Sequence, residues 1–369
     1  MLHVHHDGAK ELAWPWGREQ FITLWYDEDG KIAFLEMGFR MTADLRWGIL
    51  GCASIAARVG PAIASVPGNR LAAVSSRSLS KARAAADAFG VEHAFGSYAE
   101  MLASGTIDVV YNPLPNSLHA EWTIAALAAG LPVLCEKPLT ATAAEARAVL
   151  AASKRTGLLV AEAFMYRHHP LYDVLAKLLA DGAIGHVRVV SATFTFLLDD
   201  RNETPASAAL AGGSLRDVGC YPVSLARMVL RQEPKRAFAM ARFSDVDDTL
   251  TGLLEFPGGA IAQVTSSIES HERAHAEIIG TTGTIFLESP WFPGEELLLV
   301  RGGGASTPER VPCPPGDGYQ LEVADFARAV RAGTAPRWPI DDAVANVAAL
   351  EALLESARSG RAIEVGAGV

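Results

Sequence analysis

The chain has 369 residues, half of them hydrophobic and a fifth charged, so it is long enough for two packed cores and has the composition of an ordinary globular protein. A net charge of −10 with scattered Lys and Arg argues against nucleic acid and anionic membrane as partners, because both select for a basic patch. Cys52, Cys135, Cys220 and Cys313 lie far apart with no Cys-x-x-Cys pair, which points to neither a disulfide framework nor a zinc site and favours a reducing, cytoplasmic setting; no apolar run approaches ~20 residues, so no transmembrane helix is expected.

Residues 1–40 carry His3, His5, His6 and three tryptophans, without an apolar h-region or twin arginine, and do not read as a secretory signal. The histidines lack a second ligand group at a telling spacing, so a plain tail is expected there rather than a metal site. Met41-Thr42-Ala43-Asp44 resembles a natural start before the first core strand, and 1–40 is expected to be an appendage or the product of an upstream start.

From residue 45 strands and helices alternate. Strands are predicted at 45–50, 70–75, 107–112, 131–135 and 158–161, with helices at 55–66, 80–89, 119–129 (closed by Gly130) and 143–156. Repeated βα units predict a doubly wound parallel sheet with helices on both faces. After about residue 166 the rhythm changes. Alternating runs at 187–198, 237–243, 250–256, 260–267, 276–279 and 284–287 predict an antiparallel or mixed open sheet, hence an α+β second domain. A helix over 215–230 interrupts the strands, helices at 319–331 and 341–359 close the chain, and the Gly/Pro-rich stretch 302–318 reads as a surface loop. The domains expected are 41–165 and 166–369.

The first strand runs into Gly51-Cys52-Ala53-Ser54-Ile55-Ala56, a strand–turn–helix context for the dinucleotide fingerprint. Gly51 permits the tight turn, Ala53 replaces the second glycine with the smallest added bulk, and the amides of Ser54, Ile55 and Ala56 can face a pyrophosphate. The second strand ends in Ser75-Ser76-Arg77 with no Asp or Glu for ribose hydroxyls. Ser76, Arg77 and Lys81 suit a 2′-phosphate, which favours NADP over NAD; a solvated helix start is the alternative. Pro113 and Pro115 hold the loop around Leu114 extended, and Asn116 and His119 are either cofactor contacts or cap and packing residues.

Leu131–Cys135 is an apolar strand that ends in Glu136-Lys137-Pro138. Charges at the end of a buried strand cost desolvation unless paired, and the carboxyl ends of parallel strands are where ligands bind, so Lys137 is a candidate for chemistry. Asp217 and Tyr221, four residues apart after Gly212-Gly213, share a helix face and suggest a polar pocket. A catalytic tyrosine needs a nearby cation to lower its pKa, and Lys137 could supply it. No His/Asp/Glu set has metal-ligand spacing.

Arg46-Trp47-Gly48-Ile49-Leu50-Gly51, Asn112-Pro113-Leu114-Pro115-Asn116-Ser117-Leu118-His119, Glu136-Lys137-Pro138, Glu162-Ala163-Phe164-Met165-Tyr166-Arg167 and Asp217-Val218-Gly219-Cys220-Tyr221 together closely resemble the glucose–fructose oxidoreductase / inositol dehydrogenase / MocA-like (Gfo/Idh/MocA) family over about residues 45–365. The resemblance implies an N-terminal Rossmann domain, a C-terminal α+β domain whose large sheet serves homodimer or homotetramer contacts, and Lys137 as the catalytic lysine. Tyr221 stands where the inositol-dehydrogenase branch has histidine. This resembles the branch of glucose–fructose oxidoreductase, NADP-dependent xylose dehydrogenase and dimeric dihydrodiol dehydrogenase, and that branch also uses NADP. The expectation is an oxidoreductase moving hydride between a sugar or polyol, such as an aldose, and the nicotinamide. Tyr221 is the general acid/base with Lys137 lowering its pKa, or Lys137 shuttles the proton while Tyr221 orients; Asp217 holds substrate or the pair. Glu136 supports the backbone or Lys137 beside the cofactor. Arg167 lines the cofactor pocket or forms a structural salt bridge. A trans-dihydrodiol dehydrogenase and a non-catalytic NAD(P)-binding regulator are the rival readings.

Overall fold

The structure is a computed structural model that describes residues 44–302 and 307–366, together with four strands before them. Those strands, β1 (Leu2–Val4), β2 (Lys10–Leu12), β3 (Gln20–Tyr26) and β4 (Ile32–Phe39), form an antiparallel sheet in sequence order and pair only with one another. The reading of 1–40 as a tail anticipated no strands there. The histidine cluster at 3–6, the start motif at 41–43 and the connecting residues lie outside the described side chains.

The next six strands are β5 (Leu45–Leu50), β6 (Asn69–Ser75), β7 (His93–Phe95), β8 (Val109–Asn112), β9 (Val133–Glu136) and β10 (Val160–Ala163). All pair in parallel, in the order β10-β9-β8-β5-β6-β7. This is the doubly wound arrangement, and the strand order reverses between β5 and β8, where such sheets open a ligand crevice. The connecting helices are α1 (Ala56–Ser65), α2 (Leu79–Phe89), α3 (Tyr98–Ala103), α4 (Asn116–Ala128) and α5 (Ala143–Thr156). Their ends follow local chemistry. Thr142 and Glu145 form a reciprocal capping box on α5, Ser78 caps α2, and left-handed Gly90 and Gly157 close α2 and α5.

A short 3-10 turn (Met165–His168) and α6 (Leu171–Ala180) lead into the second sheet. Its strands are β11 (Val187–Leu197), β12 (Arg236–Phe243), β13 (Asp247–Glu255), β14 (Ile261–Ser267), β15 (Glu269–Gly280), β16 (Gly283–Leu287), β17 (Glu296–Arg301), β18 (Glu309–Pro312) and β19 (Ile363–Glu364). The order is β18-β17-β16-β15-β11-β14-β13-β12-β19. Only β11 and β14 run parallel, so the sheet is mixed. A π-helical turn (Leu215–Gly219) continues as α7 (Cys220–Leu230) and packs on the inner face with Val190, Leu250, Val264 and Ile278. On the outer face Phe238 stands opposite Leu253, both exposed, with Met240 and Ile261 nearby.

The last two helices, α8 (Gly318–Ala332) and α9 (Ile340–Ser359), return to the first sheet. Val323 and Phe326 of α8 complete one face with Trp47, Ile49, Val59 and Ile63. Ile340, Ala343 and Val347 of α9 join the other, while its Leu350 and Leu353 pack in the second core. The 20-residue α9 therefore belongs to both cores. No helix among the described residues is long and apolar enough to cross a membrane.

The pattern of elements follows the sequence reading, with differences that have local causes. The helix expected from His119 starts at Asn116, because Pro115 can open a helix without a backbone donor. The strand expected from residue 107 starts at Val109. The loop expected over 302–318 contains β18, whose partner β17 is an apolar Leu-Leu-Leu-Val run that the reading passed over. The short β7, α3 and β19 and the ten-residue α6 were also unforeseen.

Candidate functional site

Gly51 closes β5 with φ +83°, a conformation that L side chains rarely adopt, and a Cβ there would sit 2.9 Å from Leu114 Cδ2. The turn Cys52–Ile55 opens α1, which has no side-chain cap and no acidic residue in its first turn. An uncapped helix start beside a backbone cradle that tolerates no side chain suits a dinucleotide pyrophosphate. Ala53 and Ile55 are half-buried and Ser54 exposed in this turn, while Ala56 turns inward. Beside it, β6 ends without a carboxylate. Ser76 is buried, with its amide donating to the Phe95 carbonyl and its hydroxyl accepting from Ser78. Arg77 is exposed and lies against the Tyr98 hydroxyl. Lys81 is exposed, and its carbonyl faces the Cys52 thiol at 3.7 Å, so the basic pair flanks the fingerprint turn.

The loop after β8 is built by Asn112, which is fully buried. Its side-chain nitrogen donates to the His119 carbonyl and the Thr123 hydroxyl, and its oxygen accepts the Leu114 amide. Pro113 and Leu114 are thereby held at the switch point, Leu114 against Gly51.

Three residues read as possible cofactor contacts have polar atoms engaged by the protein, although Arg167 Nη2 is buried without a partner. His119 is 1% exposed, with Nδ1 at 2.9 Å from the Pro138 carbonyl and Nε2 at 2.6 Å from the Leu114 carbonyl. It is a brace between two loops. Burial lowers its pKa to about 4 against the pull of both carbonyls, so the ring is neutral and donates to one of them. Asn116 donates to the Ala211 carbonyl at 2.9 Å, tying α4 to the second domain. Arg167 is 1% exposed. It pairs with Asp342, donates to the Ser224 hydroxyl at 2.7 Å and stacks on Phe164 and Trp338, so the salt-bridge alternative describes it. Nothing in the local sequence reveals this, because Asp342 lies at the start of α9.

Lys137 follows β9, and its peptide bond to Pro138 is cis. Glu136 accepts the Tyr111 hydroxyl at 2.6 Å with one oxygen and the Lys137 amide at 3.3 Å with the other, so it supports the backbone. The Lys137 ammonium donates to the Asp217 carbonyl at 2.6 Å, stands 3.6 Å from the Asp217 carboxylate, and lies 5.3 Å from the centre of the Tyr221 ring. Burial alone would lower its pKa, but Asp217, with Cys220 and Glu136, raises it overall, so Lys137 is an ammonium at neutral pH. Its side chain remains 16% exposed.

The structure brings Lys137, Asp217 and Tyr221 together, but not in the way the sequence suggested. The Tyr221 hydroxyl faces Met165 Sδ at 3.9 Å, and Lys137 meets the ring face instead. Burial first, and then Glu136, raise the phenol well above its usual pKa, so the depressed tyrosine pKa expected from Lys137 is not present in this arrangement. The ring is fixed edge-on by Phe164 and Phe194 at 5.2 and 5.4 Å.

Sequence reasoning missed Asp247, at the start of β13 and 3% exposed. One carboxylate oxygen accepts the Leu215 amide at 2.7 Å and the Ser214 hydroxyl at 3.0 Å, anchoring the helical turn that carries Asp217 and Tyr221. A Cβ at Gly213 would overlap Asp247 Oδ1, so the glycine leaves room for that carboxylate. Tyr319 of α8, its pKa pushed up to about 12 by burial and by Glu136, also borders Lys137 and was unforeseen. A separate cavity of about 850 Å³ lies between α6 and the end of α7, and none of the anticipated site residues lines it. No cluster of three or more metal-ligating side chains occurs among the described residues.

An uncapped helix start after β5, a switch-point crevice and a paired lysine at the end of β9 define a dinucleotide-binding oxidoreductase. Residues 45–164 match the oxidoreductase family with an NAD-binding Rossmann fold, and residues 172–286 match the GFO/IDH/MocA C-terminal domain. The chain belongs to the Gfo/Idh/MocA family. It is 40% identical to a D-xylose 1-dehydrogenase (NADP(+)) of Haloferax volcanii over 331 residues, 87% of this chain and 100% of the relative. A solved aldose–aldose oxidoreductase of Caulobacter crescentus, in complex with glycerol, superimposes with TM-score 0.81 at 28% identity, covering 87% of this chain and 99% of that one. A 3-ketoreductase of Actinomadura kijaniata, solved with NADP and TDP-benzene, superimposes with TM-score 0.80 at 32% identity, covering 85% and 98%. The protein is a NAD(P)-dependent oxidoreductase acting on sugar CH–OH groups.

Proposed function

We propose that this protein is an NADP-dependent aldose dehydrogenase in which Lys137 handles the substrate proton. The observation that carries the reading is the Lys137 ammonium, held at the mouth of the cleft by Asp217 and packed on the Tyr221 ring. The turn at Gly51–Ala56, Ser76, Arg77, Lys81 and the Pro113-Leu114 loop would hold the cofactor, and the absence of a carboxylate after β6 supports a 2′-phosphate. Bound NADP supplies the hydride acceptor or donor.

In the reducing direction Lys137 donates a hydrogen bond, and then a proton, to the oxygen that becomes the hydroxyl. Asp217 stabilises the ammonium until that moment and orients it. In the oxidising direction Lys137 must first lose its proton, so sugar oxidation gains rate with alkaline pH. Tyr221 supplies a fixed ring face that sets the height of the ammonium and shields it from water. Structures of the Actinomadura reductase include variants of a lysine and a tyrosine that stand as far apart in its chain as Lys137 and Tyr221 stand here, which supports this pair as the working one.

The domains 41–165 and 166–369 would supply cofactor and substrate sites, with α8 and α9 packed across them. The apolar outer face of the nine-stranded sheet supports a homo-oligomer, and the free cysteines support a reducing, cytoplasmic setting. The test is initial-rate NADP+ reduction over D-xylose, D-glucose, polyols and an aromatic dihydrodiol, with Lys137→Met alongside. The variant binds NADP as the parent does and loses about 10²–10⁴-fold in kcat on the best substrate. A near-parental rate refutes the assignment, and NADP binding without turnover of any substrate revives the regulator reading.

A further inference from the structure

A small cavity of about 10 Å³ lies between β10, α8 and the segment before α9. It is lined by Glu162, His168, Glu322, Asp325 and Trp338 among others. Three of these residues have a buried polar atom with no partner: Glu162 Oε2, Glu322 Oε1 and the Trp338 indole nitrogen. Glu162 is 6% exposed and Glu322 2%. Buried polar atoms without partners cost free energy and rarely persist unless an ordered water meets them. The volume is that of about one water probe, and a water has two protons to donate and two lone pairs to accept with. Two acceptors and one donor would use both of its protons and one of its lone pairs.

The second oxygen of Glu162 faces the chemistry. Glu162 Oε1 accepts the Leu139 amide at 2.7 Å, two residues beyond Lys137. Glu136 Oε2 accepts the Lys137 amide at 3.3 Å, and Pro138 has no amide. Both backbone donors of Lys137-Pro138-Leu139 are thus held by carboxylates. The Glu162 carboxylate has one oxygen on this loop and one on the cavity.

We propose that one water molecule fills the cavity, donating to Glu162 Oε2 and Glu322 Oε1 and accepting from Trp338, and that Glu162, so held, is a positioning residue for Lys137. The second half rests on the reading of Lys137 given above. Burial raises the Glu162 carboxyl to about 7 and Glu322 well above its ordinary value. The Glu162-Ala163-Phe164-Met165-Tyr166-Arg167 motif thereby acquires a role for its first residue.

Two measurements on the cofactor-bound enzyme test this. A crystal structure that resolves ordered water shows a single water within hydrogen-bond distance of Glu162 and Glu322; an empty cavity overturns the first half. In steady-state kinetics Glu162→Ala loses about tenfold or more in kcat, because a loop shifted by about 1 Å misplaces the ammonium, while KM and NADP affinity by fluorescence stay within about twofold. Glu162→Gln, whose amide oxygen still accepts from Leu139, recovers kcat to within about threefold of the parent. A parental kcat in the alanine variant, or a glutamine variant reduced as far as alanine, overturns the second half. If alanine prevents folding, the glutamine variant and the crystallographic water decide. Lys137→Met is run alongside: a parental rate there removes the reading of Lys137 while leaving the water to be judged by its density.

Discussion

Replacing Asp247 by alanine should loosen the turn that presents Asp217 to Lys137. The bond from the Leu215 amide to a buried carboxylate is charge-assisted, a class worth about 1.5–3 kcal/mol. Ser214 adds little, because its hydroxyl retains Ser266 at 2.9 Å. Burial of the carboxylate, which raises its pKa, offsets part of the gain. A net loss of about 2 kcal/mol remains, or about 4 °C in Tm for a chain of this size, taking the shallow end of the usual scaling. Asp247→Asn keeps an acceptor and loses the charge, so its shift should be about half as large. Thermal unfolding by circular dichroism measures both, and initial rates should fall further for alanine than for asparagine. An alanine variant with Tm within about 1 °C of the parent and unchanged kcat would show that Asp247 does not anchor this turn.

Stability should depend on pH with opposing contributions. His119 and His168 are depressed from 6.5 to about 4, first by burial, so each contributes stability that is present above pH 6.5 and lost as pH falls toward 4. Glu162, raised by burial to about 7 despite Arg167, contributes stability below pH 4.5 that is lost as pH rises through 7. Between pH 4.5 and 6.5 these histidines favour the fold as pH rises and the Glu162 carboxyl opposes them, so Glu162→Gln should steepen the rise of Tm with pH; an unchanged slope would contradict the buried-acid reading. Arg77→Ala should raise the KM for NADP about 10–100-fold and leave that for NAD unchanged, and an equal effect on both cofactors would count against a phosphate contact. Phe238→Glu with Met240→Glu should lower the mass seen by sedimentation, and an unaltered oligomer would move the contact off this sheet face.

Most of the first sheet was legible because its evidence is local: apolar runs in the strands, the caps of α2 and α5 and the glycines that close them; the three-residue β7 and the short α3 offered too little pattern to read. The second was legible in six of its nine strands but not as topology. The parallel pairing of β11 with β14 joins Val189 to Ile261 across most of a domain, and no short-range pattern encodes it. At the site, Gly51 and Lys137 declared themselves through backbone and charge. For His119, Asn116 and Arg167 the sequence left a cofactor contact and a structural role both open, because what decides between them lies far along the chain. Their partners, Pro138, Ala211 and Asp342, lie 19, 95 and 175 residues away. Tyr221 was found but given the wrong contact, since only packing against Met165 and Phe194 decides which end of a phenol meets a cation.

His119 sits between the Pro113-Leu114 loop and the loop that carries Lys137, with one ring nitrogen facing a carbonyl of each. An imidazole cannot stretch, so the gap between those loops is set by the width of a ring, like the jaws of a calliper locked at one reading. A displacement of Leu114 is therefore passed on toward Pro138, so a dinucleotide seated against that loop would be felt at the lysine before any sugar entered. By reciprocity, whatever settles Lys137 in place should tighten the grip on the dinucleotide by the same factor.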